Sequence, residues 1–163
     1  MNETSGTASA GGVVLSAELW AEVEAVGWRL RACLGEVVRR GVGEGATANE
    51  VAKALRCDGI IARKLVKMLS AGRDGAGVVA QSPKPAQLYK VAEQVSSRGE
   101  ALGVPEAEAW ALRDAVGKLD KLITAAGGSK MELTKAIRAR GVEGGGGDGD
   151  EGGRGVAVGT PRA

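Results

Sequence analysis

Arg63, Lys64 and Lys67 have the plainest chemical capacity in this sequence, three cations crowded into one short stretch. Within Ile60-Ile-Ala-Arg-Lys-Leu-Val-Lys-Met-Leu69 the apolar residues Ala62, Leu65, Val66 and Leu69 recur at three- and four-residue spacing. That spacing predicts a helix with one packed side and the three cations on the other. Guanidinium and ammonium groups donate hydrogen bonds and accept none, so their natural partners are anions, phosphate above all. Formal net charge is only +2, but from Arg29 to Arg73 ten basic residues face four acidic ones, a local net of +6. Such a concentration is the electrostatic footprint that a nucleic acid requires.

Other chemistries find little support. Without histidine the chain lacks the commonest general base and metal ligand. Cys33 and Cys57 match no zinc spacing and no disulfide framework and read as small buried hydrophobes. Gly75-Ala-Gly-Val-Val-Ala80 has the letters of a dinucleotide fingerprint. No strand is predicted before it and Pro83 and Pro85 follow where its helix should run, so the match is rejected. Gly147 to Gly152 repeats the pattern inside a glycine-rich tail, and Gly72 with Gly77 has the first spacing of a phosphate loop. Val78 and Val79, however, stand where that loop needs Lys and Ser or Thr. No catalytic, cofactor or metal residues are expected, and no enzyme.

The elements around the cations are well marked. Thr47 and Glu50 form a T-x-x-E capping box that starts a helix, in which Val51 and Leu55 share one face. Asp58-Gly59 makes the turn, Asp58 as a helix cap and Gly59 as the permissive residue. Upstream, Ser16 caps a long helix that Gly41 stops; Leu19, Val23, Val26, Leu30, Cys33 and Val37 repeat along it, with Trp20, Gly27 and Leu34 as a second seam. That surface packs within the chain or, with Trp20 or Trp28, against a second copy. Downstream, Leu88, Val91, Ala92 and Val95 mark a helix over 86–98. Pro105, Glu106 and Glu108 open another with a Leu112, Val116, Leu119, Ile123 stripe, and Ser129 with Glu132 caps a last one to about Arg140.

T-x-x-E-V-A-x-A-L, a short turn and I-I-A-R-K-L-V-K-M-L together resemble the helix-turn-helix of bacterial transcriptional regulators, notably the winged MarR-like and IclR-like kind. Arg56 stands where those families usually have glycine. The resemblance implies an all-α or mainly α fold with a winged-helix-like core. It further implies double-stranded DNA as partner and a homodimer through helices 17–40 and 106–126. The DNA-facing set would be Thr47, Lys53, Arg56, Gly59, Ile60, Arg63, Lys64, Lys67, Arg73 and Lys84. In that pose Arg63 or Lys64 donates to guanine, Ile60 meets a thymine methyl, and Lys67, Lys53, Arg56 and Arg73 neutralise phosphates. Ser70 to Pro85, with a β-prone run at 78–81, is where the wing belongs, or else an irregular loop; Arg73 and Lys84 reach the backbone from it.

The expected organisation is a disordered start over 1–14, the DNA-binding unit over 15–100, a helical packing or dimerisation segment over 101–140, and a tail over 141–163. From Gly141 to Gly155 nine of fifteen residues are glycine, too many for a packed structure. With no signal peptide or membrane span, the expected location is the cytoplasm, at the nucleoid. No effector site is legible. The competing expectation is an assembly module that uses the helix-turn-helix and the long helices only for packing.

Overall fold

The computed structural model describes residues 14–71 and 74–145. They form α1 (Ala17–Gly41), α2 (Ala48–Leu55), α3 (Gly59–Ala71), α4 (Gly75–Gln81), α5 (Pro85–Ser97), α6 (Gly99–Leu102), α7 (Glu106–Ala125) and α8 (Lys130–Gly145). No strand occurs among the described residues, so the chain is mainly helical as its Leu, Val and Ala content implies. Ser16 starts α1 by accepting the Leu19 N–H at 3.0 Å. Val23, Val26, Leu30, Leu34 and Val37 then run down its buried side. α1 packs against α4 and α7, α5 lies on α7, and α8 lies on α4.

The run 78–81 is helical, and α4 stands where a β wing was expected. Two observations explain the correction. Val78 and Val79 are fully buried, and burial on a packed helix outweighs the β preference of valine. The N-terminus of α4 is also capped twice. Asp74 Oδ1 accepts the Gly77 N–H at 2.7 Å, and the Glu24 carboxylate on α1 accepts the N–H groups of Gly75 and Ala76 at 3.1 and 3.4 Å.

Two glycines, Gly27 of the long-helix seam and Gly75 of the fingerprint-like run, make this crossing. A Cβ at Gly27 would stand 1.8 Å from the Gly75 carbonyl oxygen, and one at Gly75 would stand 2.0 Å from that of Glu24. α1 and α4 therefore touch backbone to backbone. The fingerprint-like letters of Gly75 to Ala80 belong to helix packing.

One hydrophobic core extends from Val23 on α1 to Ile137 on α8. The segment boundary read at residue 100 falls inside α6. The α7 stripe, Leu112, Val116, Leu119 and Ile123, is buried within the chain. Trp20 is half-buried, with the Arg140 guanidinium 4.5 Å from its ring centroid, and Arg140 also donates to the Leu15 carbonyl at 3.3 Å. α8 is capped by Ser129 as expected but runs to Gly145, past the stop read near Arg140. An established helix gains one hydrogen bond per added residue and tolerates a few glycines at its end. The expectations for residues 1–13 and 146–163 lie outside the described residues. No helix among those described is long and apolar enough to cross a membrane.

Candidate nucleic-acid interface

The two helices read around the cations are present, joined by residues 56–58. The Thr47 capping box is complete: its hydroxyl accepts the Glu50 N–H at 3.2 Å and its own N–H donates to Glu50 Oε1 at 2.9 Å. Asp58 accepts the Ile60 N–H through Oδ1 at 2.7 Å and the Ala62 N–H through its carbonyl at 2.9 Å, which starts α3.

Arg56 takes the role of the missing glycine. It lies in the left-handed region at φ 50, ψ 51, and is the single non-glycine residue with positive φ among those described. The Cys57 N–H closes the turn on the Ala52 carbonyl at 3.1 Å, the 6→1 bond of a Schellman end. The Arg98 guanidinium, from the corner between α5 and α6, donates to the Ala54 carbonyl. Holding an L-residue there costs about 1–2 kcal/mol. Arg56→Gly should therefore stabilise the fold by about 1 kcal/mol after the entropy of glycine is subtracted. Urea unfolding reads that gain.

α3 buries Ala62, Leu65 and Met68 completely, while Arg63, Lys64 and Lys67 are exposed and Ile60 is 57% exposed beside them. Val66 and Leu69 are half-buried, and Met68 takes the fully buried place. Gly59 opens the helix with no atom within 4 Å of a would-be Cβ. Lys53 and Arg56 are exposed on α2 and the turn.

The structure sorts the cations that the sequence pooled. Arg29 pairs with Asp114 at 3.3 Å, and Arg39 and Arg40 both bond Glu36, whose carboxyl the Arg39 hydrogen bond holds below the usual carboxylate range. Arg31 donates twice, at 3.2 and 3.0 Å, to the Leu69 carbonyl near the end of α3. Among the described residues no carboxylate pairs with Lys53, Arg56, Arg63, Lys64 or Lys67. Of the expected set, then, Thr47 serves as a cap, Lys53, Arg56, Gly59, Ile60, Arg63, Lys64 and Lys67 belong to α2, the turn and α3, and Arg73 lies outside the described residues. Lys84 is exposed just before α5, in the turn after α4 rather than on a wing.

Two basic residues went unread in the sequence. Lys130, the first residue of α8, is half-buried beside Lys64 and Arg138; it donates to Thr134 Oγ1 at 3.1 Å and to the Ala80 carbonyl at 3.4 Å. Burial first, then the two neighbouring cations, pushes its pKa from an ordinary 10.5 down to about 8. The folded state thus sheds this proton before the unfolded state does, and stability rises with pH between about 8 and 10.5. Urea midpoints across that window should climb for the wild type, and less so for Lys130→Met. A signal for Lys130 was available: a cation in the first turn opposes the helix dipole and asks for a reason.

Burial also pushes the Cys33 and Cys57 thiols up, with Asp58 adding to the effect at Cys57. A groove of about 520 Å³ lies behind α3, between α1 and residues 43–46, walled by Trp28, Val66 and Leu69. Its Arg31 and Glu36 are the groups already bonded above. No family model, no curated protein and no solved structure matches this chain.

Proposed function

We propose that the chain binds duplex DNA, with the N-terminal half of α3 in the major groove, and acts as a transcriptional regulator at the nucleoid. The observation that carries this reading is the sorting of cations. Arg29, Arg31, Arg39 and Arg40 have partners within the protein, whereas Arg63, Lys64 and Lys67 share the exposed side of one helix and pair with no carboxylate among the described residues. In this reading Arg63 or Lys64 reads guanine, Ile60 meets a thymine methyl, and Lys67, Lys53 and Arg56 contact phosphates.

The reading unit is a helix-turn-helix that works without a wing between α3 and α5. The active form is a homodimer, which sets two α3 helices about 34–36 Å apart, one turn of B-DNA. With the α7 stripe buried, the dimer contact falls to outward faces of α1 and α7. Trp28 and Trp110, 43% and 62% exposed there, also favour the second reading, an assembly module that does not bind DNA.

A salt titration of binding to a random duplex separates the two. The DNA reading requires affinity that falls steeply with salt as counterions are released, and an assembly module shows none. Selection of bound sequences from a random pool then recovers the operator. Sedimentation tests the dimer, which a monomer at tens of micromolar (~10⁻⁵ M) would exclude.

A further inference from the structure

Trp110 is the aromatic side chain that the fold leaves most open. It stands on α7, on the side of the helix away from the buried Leu112, Val116, Leu119 and Ile123. Trp28 is also part-exposed, but it walls the groove behind α3 and has the Arg31 guanidinium 5.7 Å from its ring centroid. Trp110 makes no cation–π contact among the described residues. Beside it a hollow of about 670 Å³ opens between α5 and α7, with Gly117 in its wall and Tyr89, Glu93 and Lys121 around it.

The exposed Glu106, Trp110, Arg113 and Lys121 and the half-buried Gly117 follow one another along α7 at spacings of four, three, four and four. They therefore share one side of the helix, with Asp114 at its border. Laid antiparallel on itself about a two-fold axis between residues 113 and 114, this side is its own complement. Glu106 of one copy meets Lys121 of the other, Trp110 meets Gly117, and Arg113 meets Asp114. Among the described residues Glu106, Arg113 and Lys121 form no ion pair, and Asp114 uses only Oδ2, for Arg29 at 3.3 Å and Lys118 at 3.9 Å. A Cβ at Gly117 would meet only the Tyr89 hydroxyl, at an ordinary 3.5 Å. Packing within the chain thus gives no reason for a glycine there, although glycine inside a helix is destabilising. An acid at the start of α7 and a base near its end also suit the helix dipole, but the dipole accounts for neither the open indole nor the glycine.

We propose that two copies of this chain pair through α7, antiparallel about a two-fold axis, with the indole of each Trp110 seated in the hollow beside Gly117 of the other. The Glu93 carboxylate around that hollow accepts the indole N–H. This rests on the homodimer reading given above and holds whether or not the dimer binds DNA.

Sedimentation of the full chain without DNA, over a concentration series reaching tens of micromolar (~10⁻⁵ M), tests it. The variants are Trp110→Ala, Gly117→Gln, Glu106→Lys and Lys121→Glu; circular dichroism verifies that each folds. The wild type should be a dimer. Trp110→Ala, which removes the central anchor, and Gly117→Gln, which blocks the hollow, should each raise the dimer Kd at least about 30-fold. Glu106→Lys and Lys121→Glu each set like charges against one another at both ends of the interface and should pair more weakly. An equimolar mixture of those two restores opposite charges at both ends and should dimerise like the wild type. If Trp110→Ala weakens the dimer but the mixture pairs no better than either variant alone, the antiparallel register is wrong. If the wild type is a dimer that no variant weakens, the α7 surface is wrong and the homodimer stands on another face. A wild-type monomer throughout the series overturns both.

Discussion

Replacing Arg63 and Lys64 together by alanine is expected to abolish specific DNA binding at ~0.15 M salt. The two side chains are exposed on α3, are paired with no carboxylate among the described residues, and lie opposite the buried Ala62, Leu65 and Met68. A side chain that donates well to a base edge discriminates by about 1–3 kcal/mol. Losing that donor lowers specific affinity by roughly 5-fold to 150-fold, and losing the second cation beside it weakens binding further. Because neither residue takes part in packing, far-UV circular dichroism and the sedimentation coefficient should stay at wild-type values. A double variant that still shifts the same DNA would show that this helix is not the reader.

The largest effect on stability is expected at the crossing of α1 and α4. In Gly75→Ala the new methyl would meet the Glu24 carbonyl oxygen at 2.0 Å, and in Gly27→Ala it would meet that of Gly75 at 1.8 Å. Neither neighbour is the end of a flexible side chain, so the helices must move apart by more than an ångström. That shift opens the core around Val23, Leu30, Val78 and Val79, all fully buried, and weakens the Glu24 cap on α4. Overpacking commonly costs about 1–3 kcal/mol, and a backbone clash belongs at or above the top of that range. Against a total stability of about 5–15 kcal/mol the loss is severe. Gly59→Ala is the control. Its Cβ meets nothing within 4 Å, so that variant should match or slightly exceed wild type. Urea unfolding curves for the three proteins decide the matter, and a wild-type midpoint for Gly75→Ala would refute the close crossing.

What could be read from the sequence was local. The Thr47–Glu50 box, the Ser16 cap, the cap at Asp58 and the apolar stripes of α1, α5 and α7 depend on residues three or four apart, and each appears where its spacing predicts. What could not be read was tertiary. Val78 and Val79 favour strands in isolation, and only their burial against α1 makes them helical. Arg56 shows that a left-handed turn tolerates an arginine when Cys57 and Arg98 close the carbonyls around it. The same holds for the interface. Arg63, Lys64 and Lys67 are legible as one side of a helix, but nothing in the order of residues says that Arg31 is engaged with Leu69 or that Lys130 reaches the Ala80 carbonyl.

The contact of Gly27 with Gly75 also has a topological meaning. It brings residues 27 and 75 together, so that the segment holding α2 and α3 forms a closed loop with its two ends in contact. The cost of closing such a loop grows only with the logarithm of its length. Residues added or removed in the Val42–Ala46 link would therefore change the closure cost little, while α3 stays tied to its neighbours by the buried Ala62, Leu65 and Met68 and by Arg31 on the Leu69 carbonyl. α2 and α3 are thus held by the same core as the helices that close the loop, not carried apart from it.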